Sequence, residues 1–335
     1  VLSPKVSRVL RQAAAYVIAA ACLVWVFHDV DASRFLASVT GLDWGWVALA
    51  IVFDTLSYVC QGIRWRLLLE PLGRISSLRA TEAVYSGLFV NEVLPFHLGE
   101  VARAYPVSRW LHAPFVAVIP SMALERLFDG IWLAAGIGIT AVFVPLPRDL
   151  VRAGDIFGLA ILALTALFLF LLFRKTRRAR SGASDRAPRR GPAGWIARNL
   201  HALESGLRSI GLSRSSIAAF FLSFLVVLLQ ALSFWLIMAA DGFRLSFLIG
   251  TAVFLIVRFG TVLPGAPGNL GLYQVFCVLG LSLFGVEKSA AAGFSVVVFV
   301  LLSVPLWALG FFALGRTGMT FAAIKSKMGE EGGSA

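Results

Sequence analysis

The chain has 335 residues, 59% of them hydrophobic and only 14% charged, whereas a soluble domain carries about 25% charged residues to cover its surface. That composition excludes a soluble globular protein, and the lack of alternating segments of about ten residues excludes a membrane β-barrel. An all-α polytopic membrane bundle remains, read as one integral domain over residues 1–335. The net charge of +12 is concentrated between Arg174 and Arg214, where eleven Lys/Arg face only Asp185 and Glu204. Such a block marks a cytoplasmic loop, and no aromatic or recognition module beside it argues for nucleic-acid binding.

In chain order, the first predicted span covers residues 11–27. Lys5, Arg8 and Arg11 precede it and no small-residue cleavage site follows, so it reads as a retained span rather than a removed signal peptide. The loop with Asp29, Asp31 and Asp43 is then outside. The second span, residues 44–69, returns the chain to a cluster of Arg64, Arg66, Arg74 and Arg79 at its inner end. Residues 80–106 come next. A single crossing there would turn the basic loop outward and break the orientation rule, so the segment is predicted to enter and leave on the cytoplasmic side. Pro95 removes a backbone donor and Gly99 weakens a helix, which places a bend between two half-helices in "NEVLPFHLGE".

The third and fourth spans are predicted over residues 114–144 and 156–173. The basic loop 174–214 follows, with Trp195, Ile196, Leu200, Leu203, Leu207 and Ile210 at helical spacing. They predict an amphipathic helix on the inner surface, where anionic inner-leaflet lipids are the expected partner. The fifth span covers residues 216–240. A second interrupted segment, "FLIVRFGTVLPGAPGNLGLYQVFCVLGL", contains Pro264, Gly265, Pro267, Gly268 and Gly271, and parity predicts a hairpin entering from the outer side. The last span, residues 290–314, ends inside. The expectation is six spanning helices plus two oppositely oriented re-entrant hairpins, with both termini cytoplasmic. Broken segments at corresponding positions of two halves point to a transport site near the midplane, and an inverted repeat is one reading of the succession.

Ionisable residues at membrane depth are costly and mark functional sites by default. The second span carries Asp54, Gln61 and Arg64. The third carries Glu125, Arg126 and Asp129, of which Glu125 and Asp129 share a face. The first hairpin supplies Asn91, Glu92, Glu100 and Arg103, and the second Arg258, Asn269 and Gln274. Eleven of these form the candidate substrate site: Arg64, Asn91, Glu92, Glu100, Arg103, Glu125, Arg126, Asp129, Arg258, Asn269 and Gln274. For each residue the competing reading is an ion pair that only ties helices together. Arginine suits a lipid phosphate because its planar fork donates two hydrogen bonds. His97, beside the bend, reads as a packed or interfacial histidine rather than a proton relay. Nucleophile–base pairs, nucleotide loops and metal-ligand spacings are absent, and Cys22, Cys60 and Cys277 are scattered. No metal, cofactor or catalytic residue is therefore expected.

Four stretches in order, "RWRLLL" (Arg64–Leu69), "NEVLPFHLGEVAR" (Asn91–Arg103), "ERLFD" (Glu125–Asp129) and "LPGAPGNLGLYQ" (Leu263–Gln274), carry a resemblance to a known family. The chain resembles the transmembrane flippase region of lysylphosphatidylglycerol synthetases, the multiple peptide resistance factors, and their stand-alone membrane relatives. The resemblance covers nearly the whole chain. It differs at Asn269, where the family has a second glycine, and at Gln274, where the family often has glutamate. What the resemblance implies is movement of a phospholipid, isoprenoid or glycolipid between leaflets of a bacterial inner membrane. Fused relatives add a soluble aminoacyl-transferase domain. This chain runs about twenty residues past its last predicted span, so aminoacyl transfer is not expected. The competing expectation is a membrane-embedded enzyme, or enzyme subunit, acting on a lipid-linked substrate. Self-association of the chain is left open.

Overall fold

The computed structural model describes residues 41–94, 98–144, 147–173, 213–262 and 266–317, together with residues 17, 20–26, 28 and 211. From residue 41 onward these form nine α-helices and one 3-10 turn, with no strand among the described residues. The helices are α1 (Trp44–Leu69), α2 (Ser77–Val93), α3 (Gly99–Trp110), α4 (Phe115–Phe143), α5 (Arg148–Phe173), α6 (Arg214–Ala240), α7 (Phe247–Gly260), α8 (Leu272–Ser282) and α9 (Lys288–Thr317). The 3-10 turn, Pro267–Asn269, lies between α7 and α8.

Five helices are long and apolar enough to cross a bilayer: α1, α4, α5, α6 and α9. They fall where five of the six spans were expected. The expected first span is described only at residues 17 and 20–26, the latter helical. The amphipathic segment 195–210, His97 and Pro95 lie outside the described residues. One boundary differs clearly. Helix α5 begins at Arg148 rather than near residue 156, because hydropathy registers the apolar run alone, whereas helical hydrogen bonding continues through the charged turns holding Asp149, Arg152 and Asp155.

The remaining helices are shorter. With 17, 12, 14 and 11 residues, α2, α3, α7 and α8 rise about 25, 18, 21 and 16 Å against a hydrocarbon core of about 30 Å. Each pair folds back on itself. A Cβ at Gly87 on α2 would stand 2.7 Å from the Gly99 carbonyl on α3, and in the second pair Gly280 on α8 meets Val253 on α7. Ser76 and Ser246 begin α2 and α7 in the same way, each side chain accepting from the backbone N–H three residues on, the usual serine N-cap.

Helices α1 and α6 run antiparallel at the centre. Their buried faces recur every three or four residues: Ala50, Asp54, Ser57, Cys60, Arg64 and Leu68 on α1, and Ser223, Val226, Gln230, Ser233 and Ile237 on α6. Small side chains on these stripes permit close approach, which is what drives helix association in lipid. Ser233 Oγ donates to the Ala50 carbonyl at 2.9 Å. The order long–short–short–long occurs twice, as α1 to α4 and as α6 to α9. The two sets clasp each other. Helix α2 packs on α9, where Gly310 admits Phe89 and Arg316 pairs with Glu82 at 2.8 Å. Helix α7 packs on α4, where Gly136 admits Leu255.

Candidate polar site at the two helix breaks

The first ionisable cluster joins α1, α3, α4 and α6. Arg64 is 1% exposed and donates to Glu125, to Asp129 and to Ser223 Oγ, the last at 2.9 Å. Glu125, 2% exposed, accepts from Arg103 Nη1 through its second oxygen at 2.6 Å. Arg103 Nε also donates to Glu100 at 2.8 Å, and its guanidinium lies 4.8 Å from the centre of the Trp65 ring. Glu100 takes Arg126 on its other oxygen. Three arginines and three carboxylates thus close a chain of pairs from Asp129 to Arg126. Helical spacing explains the branching: Glu125 and Asp129, four residues apart, both face Arg64, whereas Arg126 points aside to Glu100. The Arg126 side chain is 61% exposed, and it is the open end of the network.

Beside this cluster lies an apolar cavity of about 230 Å³ between α4, α5 and α6, lined among others by Leu124, Phe128, Ile131, Phe168, Ile217 and Phe220. Its α4 wall is the face adjoining Glu125 and Asp129.

The second cluster gathers at the breaks themselves. Glu92, in the last turn of α2, accepts from Trp307 Nε1 on α9 at 3.2 Å. Across from it is Gly268 of the 3-10 turn, where a Cβ would stand 2.7 Å from Glu92 Oε2. The ends of the two broken segments therefore meet. Asp54 on α1 is buried, with Tyr58 beside it on the same helix and the charge of Arg258 on α7 acting on it. Tyr58 and Tyr273 each lie within electrostatic reach of Asp54, Glu92 and Arg258. Tyr58 packs edge-on against Tyr85, whose hydroxyl donates to the Thr55 carbonyl. Arg258 is exposed and, among the described residues, makes no ion pair; its guanidinium lies 6.0 Å from the Phe254 ring centre.

Two expected site residues hold the breaks in shape. Asn91 Oδ1 accepts from the Gly99 backbone at 2.7 Å, tying the last turn of α2 to the first residue of α3. Gly99, expected to weaken a helix, instead opens one, and its missing side chain lets α3 approach the Gly87 carbonyl. Gln274 Oε1 accepts from the Gly271 N–H at 2.7 Å, capping α8. Asn269 has φ +54 and Gly268 φ +63. That left-handed region is open to glycine and, among other residues, best tolerated by asparagine and aspartate. The departure at Asn269 thus keeps the backbone geometry a second glycine would provide. Of the eleven expected residues, Arg64, Glu100, Arg103, Glu125, Arg126 and Asp129 converge in the first cluster. Glu92 and Arg258 belong to the second, while Asn91, Asn269 and Gln274 shape the breaks. Residues the expected set lacked are Ser223, Asp54, Tyr58, Tyr85, Tyr273 and Trp307. Asp54 and Tyr58, four apart in an apolar span, were the available signal.

These elements define a helical integral membrane protein with buried ionisable clusters at paired helix breaks. The chain belongs to the lysylphosphatidylglycerol synthase TM region family, which it matches over residues 12–310. It is 26% identical over 328 residues to a UPF0104 membrane protein of Methanothermobacter thermautotrophicus, covering 91% of this chain and 92% of that protein. It is 23% identical over 262 residues to a UPF0104 membrane protein of Methanocaldococcus jannaschii, covering 74% and 77%. It is 24% identical over 321 residues to glycosyltransferase AglD of Haloferax volcanii, covering 86% of this chain and 51%, about half, of that relative. No solved structure matches it.

Proposed function

We propose that the chain is a lipid flippase or transporter that passes a phospholipid or related headgroup through a polar slot formed by the two broken hairpins. The observation that carries this reading is the meeting of the hairpin ends at Glu92 and Gly268, inside a bundle otherwise built of apolar spans. Irregular backbone at membrane depth is tolerated where it lines a polar path, and paired broken helices are the usual location of such a path. Arg258 and Arg126 offer guanidinium groups with exposed surface for a phosphate, and the apolar cavity beside α4 suits an acyl chain. In this reading α2–α3 enters from the cytoplasmic side and α7–α8 from the outer side of the cytoplasmic membrane. Six spans then leave both termini inside, and the second half repeats the first in inverted orientation. The reading is non-enzymatic.

Leaflet-resolved assays in proteoliposomes test it. With a fluorescent phospholipid and an impermeant quencher, the protected fraction is expected to fall in a protein-dependent way. Arg258→Gln is expected to slow the exchange at least tenfold. Exchange no faster than in protein-free liposomes, across anionic and zwitterionic lipids, would overturn the reading.

The similarity to glycosyltransferase AglD supports a second reading, a membrane component of an enzyme acting on a lipid-linked substrate. Sugar transfer to a polyprenyl phosphate by the purified chain, without lipid exchange, would favour it.

A further inference from the structure

We propose that the apolar cavity between α4, α5 and α6 is a lipid-binding site of the leaflet facing the basic loop, seating one acyl chain of an anionic phospholipid whose phosphate meets Arg214. The site is a binding site in its own right and stands whether or not the chain moves lipid.

The cavity holds about 230 Å³. An apolar cavity of about 150 Å³ takes one benzene, so this one takes a run of about nine carbons. Its walls offer nothing to a polar guest. Leu124, Phe128 and Ile131 come from α4, and Ile217 and Phe220 from α6. On α5 the Thr165 hydroxyl donates to the Ile161 carbonyl at 2.8 Å, and on α6 Ser216 Oγ is engaged with Ser213 Oγ at 3.0 Å. Behind the cavity Leu68 of α1 packs with Leu124, Phe128 and Ala219. Arg64 and its partner Ser223 lie one turn further along α1 and α6. An apolar wall therefore divides the cavity from the ion-pair network.

The gap exists because α5 packs along α4, where Gly130 admits Ile161, and meets α6 only sparsely. No described side chain of α5 is buried, and Ile217 at the rim is 50% exposed. The cavity thus opens toward the chains of the bilayer. Helices in lipid are held by contact rather than by escape from water. A gap forfeits those dispersion contacts, and an acyl chain restores them.

Charge selects the headgroup. The cavity reaches Gly211 and Ser216 at the start of α6. There Arg214 is exposed and, among the described residues, makes no ion pair. A cation in the first turn has the wrong sign for the helix dipole, and a phosphate beside it answers both. The acid at this end, Glu70 just past α1, is taken by Ser215. The two helices that wall the gap are also the two joined by the basic stretch, eleven Lys/Arg against two acids from Arg174 to Arg214.

Native mass spectrometry of the purified full chain, with phosphatidylglycerol or phosphatidylcholine added, tests the site. One phosphatidylglycerol per chain is expected to be retained, at least fivefold better than phosphatidylcholine. Thr165→Phe fills the cavity without stranding a polar partner and should cut retention of both lipids at least fivefold. Leu162→Trp, on the exposed side of the same helix, should leave retention unchanged. Arg214→Gln should still hold a lipid but bring the two lipids to parity. Thermal unfolding establishes that the variants are folded; if Thr165→Phe is not, Ile217→Trp fills the same space from the exposed rim. Unchanged retention in a folded, cavity-filled variant would mean annular lipid only and overturn the proposal. A wild type that retains no lipid overturns it as well, and lipid binding restored by deleting residues 195–210 would assign the cavity to the chain's own segment. These readings need no lipid exchange, so failure of the transport reading leaves the site to be decided separately.

Discussion

Glu92 and Gly268 stand against each other across the two helix breaks, so close that a Cβ on Gly268 would lie 2.7 Å from the Glu92 carboxylate. One residue belongs to the first broken segment and the other to the second. Gly268 also has φ +63 and its neighbour Asn269 φ +54. Left-handed backbone costs about 1–2 kcal/mol for a residue with a Cβ, with asparagine and glycine least affected. Asn269→Gly is therefore expected to change stability by less than about 0.5 kcal/mol, and Asn269→Val to lower it by more than about 1 kcal/mol. Gly268→Ala meets only the movable end of the Glu92 side chain, so its cost should be mainly the backbone strain, about 1–2 kcal/mol. Asn269→Val, β-branched in the left-handed region, should be the most damaging of the three. Thermal unfolding in detergent ranks them.

The two hairpin arginines are expected to separate under the same substitution. Arg103 bridges Glu125 and Glu100 at once, through Nη1 and Nε. A lysine ammonium has no fork with which to hold both. Arg103→Lys should lower stability by about 1–3 kcal/mol, the scale of a buried charge-assisted bond. Arg258, without an ion pair among the described residues, should lose almost no stability as lysine. If it holds a phosphate bidentately, Arg258→Lys lowers lipid exchange instead. Melting and exchange measured on both variants give opposite patterns under this assignment.

Asn91 and Gln274 act on backbone rather than on a ligand. Asn91→Ala strands the Gly99 N–H, which should cost about 1–3 kcal/mol, while Asn91→Asp keeps an acceptor and should cost less. Gln274→Glu also keeps its acceptor for the Gly271 N–H and places a negative charge in the first turn of α8, where the helix dipole favours it. It is expected to preserve the fold, which unfolding in detergent can check.

Asp241, just beyond α6, gives a pH dependence. Burial pushes its carboxyl up to about 7 from the ordinary 3.8. Among the described residues its Oδ2 has no hydrogen-bond partner. Its raised value means the folded state holds a proton that the unfolded state has released. Its contribution is therefore fully present below about pH 4 and is lost as pH rises toward 7. Asp241→Asn is expected to flatten this fall in melting temperature between pH 4 and 7, and an unchanged slope would show that another group sets it.

Topology can be checked by labelling. With single cysteines in a cysteine-free background, positions Arg74 and Arg109, on either side of α2–α3, should react from the same, cytoplasmic, face. Reaction from opposite faces would make residues 77–110 a crossing and reverse every later segment.

The sequence by itself determined where the helices lie and where they stop. Apolar runs set five of the spans, because lipid leaves no other partner for the backbone than the helix itself. A break was expected at Pro95 because proline can neither donate nor continue a helix, and the described helices end at Val93 and resume at Gly99. Periodicity also placed Glu125 and Asp129 on one face. It could not say which helix that face would meet. Whether an arginine binds a ligand or a neighbouring carboxylate depends on helix rotation and approach, which glycines such as Gly87, Gly99 and Gly310 allow through contacts far apart in the chain. Only the tertiary structure decided that Arg64 and Arg103 are consumed by Glu100, Glu125 and Asp129 while Arg258 is left with no ion pair among the described residues. It alone gathered Asp54, Tyr58, Glu92 and Tyr273 from α1, α2 and α8 at the junction, because that juxtaposition is made by packing two separately folded hairpins against each other, and no local pattern encodes it.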